Sequence, residues 1–168
     1  MNMRIFSIVM MCPFLIFAQA GTTDLSFSGD GKAIFCFDTN SIANNSILQN
    51  DGKIIITGLK EYNTSFACRV NSDGTIDSSF GNDGIVVIAT NLTTEANSLC
   101  YSSALQNDGK IILVGNFTSF SGDHNLMVIR LNSNGSPDTN FGVNGKLNLE
   151  LGSPYDFAYA VKIQTDGK

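Results

Sequence analysis

The feature that most constrains the fold is an internal repeat with a period of about 60 residues. Residues 48–58 begin Leu-Gln-Asn-Asp-Gly-Lys-Ile-Ile, and residues 105–115 begin with the same eight residue types 57 positions later. A third copy opens at residues 163–168. A second block, residues 69–81, returns at residues 130–142 with a shared Asp-x-x-Phe-Gly ending. Such a period predicts a modular array in which each repeat is one supersecondary unit.

One unit, from Phe80 to Phe141, contains short apolar runs divided by clusters of Asn, Asp and Gly. The predicted strands are residues 85–89, 99–105, 110–117 and 126–131. Asp108-Gly109 supplies the positive φ that a tight hairpin turn requires. Because no 3.6-residue periodicity occurs, the pattern indicates an antiparallel meander. The run Ile111–Val114 is continuously apolar, which predicts a strand buried on both faces between two other sheets.

Four-stranded sheets that repeat and pack face to face are typical of β-propeller blades. We therefore expect an all-β fold, a partial β-propeller of four-stranded antiparallel blades, with a stacked β-solenoid as the alternative. The expected divisions are a signal peptide at 1–20, a first blade at 21–79, a second at 80–140 and a truncated third at 141–168. Propellers close with four to eight blades, so we expect the chain to be a fragment of a longer protein or the product of a truncated reading frame.

The first 20 residues have the pattern of a secretory signal peptide. A basic start, Met1 to Arg4, precedes an apolar run at residues 5–17, and Ala18-Gln19-Ala20 fits a small-x-small cleavage site. A membrane anchor is the alternative, but the run is shorter than the ~20 residues that span a bilayer. The sequence therefore predicts a protein that is secreted or held at the cell surface, with no membrane span after cleavage.

Composition narrows the partners and the chemistry. The net charge is −5 and only 15% of residues are charged, and the scattered Lys and Arg argue against nucleic-acid binding. Cys36, Cys68 and Cys100 remain after the signal peptide. Their odd number and the lack of a Cys-x-x-Cys pair leave two interpretations, buried small hydrophobes or one disulfide with a spare thiol.

The repeated blocks resemble a known family. The order Leu-Gln-x-Asp-Gly-Lys-Ile-Ile-x-x-Gly, then Arg-Leu-Asn-x-x-Gly-x-x-Asp-x-x-Phe-Gly, is similar to the delta-60 repeat of bacterial extracellular proteins. The resemblance extends over nearly all of the chain after the signal peptide and implies an exported or surface β-propeller without an established activity. The first copy departs from the pattern, since Ser28 stands where later copies carry Gly81 and Gly142.

The two clear copies differ in length only between the first and second and between the third and fourth predicted strands. Alternate connections of a meander lie at the same end of a sheet, so we expect these variable loops to share one face. Binding faces of repeat proteins commonly carry such insertions, and an unknown protein or glycan ligand is expected there. The variable loops are residues 39–41, 60–64, 91–95 and 118–124.

The polar motifs favour structural roles. Asn71-x-Asp73-Gly74-x-x-Asp77 invites a calcium interpretation, but it lacks the acidic ends of a calcium loop, and Asn and Asp commonly stabilise turns. Arg69 and Arg130 are expected to pair with Asp77 and Asp138. Each recurring Phe is expected to pack beneath a turn, and these are Phe27, Phe80 and Phe141.

The sequence predicts no catalytic, cofactor-binding or metal-binding residue. The single histidine, His124, lies in a variable loop, whereas a catalytic triad needs a histidine positioned between a nucleophile and a carboxylate. We therefore expect a non-enzymatic exported scaffold or adhesion module. The alternative is a fragment of a propeller hydrolase or lyase that acts on extracellular polysaccharide, with its catalytic residues in missing blades.

Overall fold

The computed structural model describes residues 22–35, 40–61, 64–88 and 95–168. The predicted signal peptide and Cys36 lie outside the described residues. So do residues 39, 62–63 and 91–94 of the variable loops.

The described residues form two four-stranded antiparallel sheets, as the repeat predicts. The first contains β1 (Ser41–Leu48), β2 (Ile54–Lys60), β3 (Thr64–Val70) and β4 (Ile85–Val87), in that order. The second contains β5 (Glu95–Leu105), β6 (Ile111–Ser119), β7 (His124–Leu131) and β8 (Lys146–Leu149), also in chain order. Each sheet is a meander of neighbouring strands, so the expectation of an all-β fold with four-stranded antiparallel units is confirmed.

The sheets are offset from the sequence units. Residues 85–87 of the strand predicted at 85–89, the first strand of the unit at 80–140, form β4 and pair with β3. The turn before it returns the chain onto β3, where the Arg69 N–H donates to the Gly84 carbonyl. A tandem repeat has no intrinsic starting point, so pairing decides the boundary. The structural units therefore run from β1 to β4 and from β5 to β8.

The recurring Asp-Gly turns have the same geometry in all three copies. Gly52, Gly109 and Gly167 adopt φ values of 82°, 82° and 85°, and each donates its N–H to a preceding glutamine carbonyl, at Gln49, Gln106 and Gln164. The aspartate before each glycine accepts a bond from the following lysine N–H. The positive φ expected at Asp-Gly is thus confirmed.

A second repeated glycine accommodates a β-bulge in the first strand of each sheet. β1 is bulged between Ala43 and Asn45, and β5 between Cys100 and Ser102. A Cβ at Gly115 would collide with the Leu99 carbonyl oxygen, and Gly58 occupies the equivalent position. A residue with a side chain would force the two strands apart, so glycine ends the Asp-Gly-Lys-Ile-Ile-x-x-Gly motif because two backbones approach closely there.

The hydrophobic core lies between the two sheets. It includes Ile55 and Ala67 from the first sheet and Leu113, Met127 and Ile129 from the second. Ile111 to Val114 of β6 are all buried, which confirms the strand predicted to be buried on both faces. The chain after β8 passes alongside the second sheet, where Gln106 Nε2 donates to the Gly167 carbonyl oxygen at 3.2 Å.

Side-chain hydrogen bonds join β1 of the first sheet to β5 of the second. Asn44 Nδ2 donates to the Cys100 carbonyl at 2.6 Å, and Asn45 Nδ2 donates to the Ser103 carbonyl at 2.8 Å. Because the partners advance along β1 and β5 in the same order, the two strands run in the same direction. Corresponding ends of the two sheets therefore lie on the same face of the molecule.

Cys68 and Cys100 are free thiols buried among core residues. Burial raises the pKa of each thiol to about 11, so both remain protonated at neutral pH. They pack as small hydrophobes, which is the first of the two interpretations that the sequence allows.

Candidate functional site

The arginine–aspartate pairs predicted from the repeat are formed in both units. Arg69 Nε donates to Asp77 Oδ2 at 2.7 Å, and Arg130 Nε donates to Asp138 Oδ2 at 2.8 Å. Lys53 Nζ also reaches Asp77 Oδ2 at 2.6 Å. Hydrogen bonds from Lys53 and Ser79, and then from Arg69, hold the pKa of Asp77 well below its usual value.

The cluster around Arg69 connects the first unit to the second. Arg69 Nη1 donates to the Ser133 carbonyl at 2.6 Å, and the Gly81 N–H donates to the Asn134 carbonyl at 2.8 Å. Phe80 is fully buried and lies beneath Gly135, where an added Cβ would come within 3.1 Å of its ring. Phe80 thus packs under a turn as predicted, but the turn belongs to the following unit.

The same contact occurs one repeat earlier. The Ser28 N–H donates to the Asp73 carbonyl at 2.7 Å, and a Cβ at Gly74 would come within 3.3 Å of the Phe27 ring. The Asp73 side chain accepts bonds from the N–H and hydroxyl of Thr75 within its own turn. The Asn-Ser-x-Gly turn is therefore a docking element for the preceding block, which is Phe27-Ser28 in the first copy and Phe80-Gly81 in the second.

The variable loops meet at the opposite end of the sheets. Ser41 pairs with Lys60 in the first sheet, while Glu95 pairs with Ser119 in the second. The alignment of β1 with β5 places both ends together, so the predicted grouping is confirmed for residues 40–41, 60–61, 64, 95 and 118–124. We call this end the variable-loop face.

A polar cavity of about 350 Å³ opens on the variable-loop face. The β6–β7 connection contributes one side of it, and the chain that follows β8 contributes the other. Its lining residues are Ser119, Ser121, Asp123, Asn125, Glu150, Gly152, Ser153 and Pro154. Sequence reasoning identified the loop at 118–124 but not residues 150–154, because their position depends on how the chain turns back after β8.

His124 is the first residue of β7 and borders this region. Its Nδ1 lies 3.1 Å from both Asn116 Nδ2 and Thr118 Oγ1. The ring stacks against Tyr155 and Phe157 at centroid distances of 5.5 and 5.4 Å. The histidine is thus held in a packed position.

A larger groove of about 710 Å³ lies between the outer parts of the two sheets. Val86 and Ile88 line one side, and Leu131, Pro137 and Val143 line the other. The groove is chiefly apolar and extends toward the constant turns. None of the described residues of the variable loops lines this groove.

Comparison with known proteins agrees with this architecture. Residues 49–80 and 106–141 match the family model described as a beta-propeller domain of unknown function, DUF5122. The two matches begin at equivalent turn residues and each ends at the recurring phenylalanine. Both matched segments are therefore similar to a β-propeller repeat. No curated protein matches the chain.

Two further observations concern the described part of the chain. It contains no helix long and apolar enough to cross a membrane. Its residues also form no group of three or more His, Cys, Asp or Glu side chains placed to hold a metal ion.

Proposed function

We propose that this chain is a non-enzymatic, exported β-propeller module of the delta-60 repeat type. It serves as a scaffold or adhesion module, secreted by or displayed on a bacterial cell, and it binds a protein or glycan through the variable-loop face.

The observation that carries the proposal is the separation of constant and variable residues. The constant blocks are used in contacts between units, as at Arg69 and Phe80. The connections of variable length gather at the other end, beside the polar cavity. A surface that varies on a constant framework is suited to recognition, since insertions there leave the packing of the units unchanged.

The chemistry of the described polar groups favours binding over catalysis. Arg69–Asp77 and Arg130–Asp138 have the same geometry in both units, whereas an active site is ordinarily built once. His124 Nδ1 contacts an amide and a hydroxyl, while a triad histidine would present that nitrogen to a carboxylate.

A printed glycan array and capture on whole bacterial cells test the proposal. Ser121→Arg adds bulk and charge to the variable-loop face, and Asn107→Arg makes the same change at an exposed constant turn. We expect Ser121→Arg to abolish the capture seen with the unaltered protein and Asn107→Arg to leave it intact. Capture that survives Ser121→Arg but is lost with Asn107→Arg would place the binding surface on the other face.

A further inference from the structure

The polar cavity carries two negative charges that its own lining does not neutralise. Asp123 and Glu150 both line it, and no Lys or Arg does. Among the described residues, neither carboxylate forms an ion pair with a basic side chain. A cavity lined by charge of one sign attracts ligands of the opposite sign.

A buried amide adds to this charge. Asn125 lines the cavity although the residue is only 4% exposed. Its side-chain amide makes no hydrogen bond with any other described residue, while its backbone pairs with Phe117 of β6. A ligand that bonds to this amide would not have to displace a protein partner, which favours its binding. Because Asn125 lies within β7, the amide is held on a rigid strand.

Hydroxyl groups hold one of the two carboxylates in place. Ser121 Oγ donates to Asp123 Oδ2 at 2.7 Å, and Ser119 Oγ lies 2.7 Å from Ser121 Oγ. The Asp123 N–H donates to Ser119 Oγ at 3.2 Å. This short chain of bonds orders the loop before a ligand arrives, which lowers the entropic cost of binding.

We propose that the polar cavity binds a primary ammonium group, with Asp123, Glu150 and the Asn125 amide oxygen as its acceptors. An ammonium has three N–H donors and no acceptor, which matches two carboxylates and one amide oxygen. The volume of about 350 Å³ lies within the range of small-ligand sites. The inference rests on the proposed function, since it assigns a ligand chemistry to the variable-loop face.

Such an ammonium has two sources, an amino sugar or a lysine side chain of a partner protein. Calorimetric titration of the purified chain with four probes separates them: glucosamine, glucose, Nα-acetyl-lysine methylamide and Nα-acetyl-norleucine methylamide. We expect at least one amine probe to bind about tenfold more tightly than its neutral counterpart, because bonds to charged groups are the stronger ones. Binding of glucosamine alone would indicate that the natural ligand is a glycan. Binding of the lysine probe alone would indicate that it is a protein.

Matched variants tie the binding to the cavity. Glu150→Gln and Asp123→Asn should each weaken the amine probe about tenfold, while Asp108→Asn, at an exposed constant turn, should leave its affinity unchanged. Asn125→Leu removes the buried amide while keeping a similar volume. It should abolish binding while preserving or raising the thermal midpoint, so loss of binding is separable from loss of folding.

Several results would overturn the inference. These are no binding by either amine probe, equal affinity for glucose and glucosamine, an unchanged affinity in Glu150→Gln, or displacement of the amine by CaCl₂ at constant ionic strength. After any of these results, the proposal that the variable-loop face binds a ligand would still stand if Ser121→Arg abolished capture on glycans or cells. Failure of that separate test would instead remove the proposed function.

Discussion

At the scale of single residues, two copies of one motif differ because their neighbours differ. Asp77 is 6% exposed, and its carboxylate accepts hydrogen bonds from Arg69, Lys53 and Ser79. Asp138 accepts a hydrogen bond from Arg130 in the same way, but the Lys110 Nζ lies 3.8 Å from its Oδ2. The Arg130 side chain is also more exposed than that of Arg69. Arg69 also contacts Ser133 of the next unit, which links the first pair to the assembly.

Replacement of Asp77 should reveal this link as a pH-dependent loss of stability. At pH 7, Asp77→Asn should lower the free energy of unfolding by about 3 kcal/mol, because Arg69 loses its buried partner. Since folding lowers the pKa of Asp77, its contribution is complete above the unfolded value of about 4 and is lost as the pH falls below it. The difference between the two proteins should therefore shrink from pH 4 toward pH 2.

Urea unfolding at a series of pH values measures the effect, and Asp138→Asn serves as the matched control. The control should cost less at pH 7, because Arg130 is the more exposed arginine. A deficit for Asp77→Asn that stays constant from pH 7 to pH 2 would contradict the argument.

At the scale of elements, two connections in the second sheet have different structural demands. The β5–β6 turn is closed by the Gly109 N–H bond to Gln106, and Gly109 has φ of 82°. Gln106 also contacts Gly167. The β6–β7 turn is also closed by a glycine, since the Gly122 N–H donates to the Ser119 carbonyl, but it is exposed at Phe120 and Gly122 and a Cβ placed on Gly122 would have nothing within 4 Å.

Insertions of Gly-Ser-Gly should therefore have unequal costs. After Phe120, the insertion should lower the free energy of unfolding by about 1 kcal/mol, because it breaks the exposed bond from the Gly122 N–H to the Ser119 carbonyl while loop closure itself depends weakly on length. Between Asp108 and Gly109, it should cost about 2–3 kcal/mol, because it breaks the turn bond and displaces the Gln106 contact. Urea denaturation compares the two, and equal losses would show that the constant turn has no special structural role.

At the scale of the whole molecule, neighbouring units complete each other's cores. Phe80 is fully buried because the second unit covers it, and Arg69 lies 4.8 Å above its ring. The equivalent arginine of the second unit, Arg130, lies 4.5 Å from the centroid of the Phe141 ring. Phe141 is only half-buried. Stability in such an array is shared between the units and their interfaces.

Phe80→Ala should accordingly destabilise both sheets together. We expect a loss of about 3–5 kcal/mol, as for large-to-small changes in a core, and faster hydrogen exchange in β2 and β6 alike. Phe141→Ala provides the control and should cost about 1–2 kcal/mol, since its side chain retains part of its contact with water. Exchange that accelerates in β2 but not in β6 would mean that the units unfold independently.

The sequence by itself determined the local architecture. Interactions between near neighbours specify the strands and hairpins. They involve the Asp-Gly turns, the β-branched runs and the continuously apolar segment Ile111–Val114. The alternation of constant and variable connections also placed the loops at opposite ends, since a meander reverses direction at every turn. Those properties depend on residues a few positions apart, which is why pattern alone reveals them.

Only the tertiary structure decided how the units join and what the variable-loop face contains. The pairing of β4 with β3, the reach of Arg69 to Ser133 and the meeting of Asn125 with Glu150 in one cavity were not evident from the repeat. Each depends on the packing of one sheet against the next, or on the return of the chain after β8. Contacts between residues far apart in sequence arise from that packing, and local propensity does not encode them.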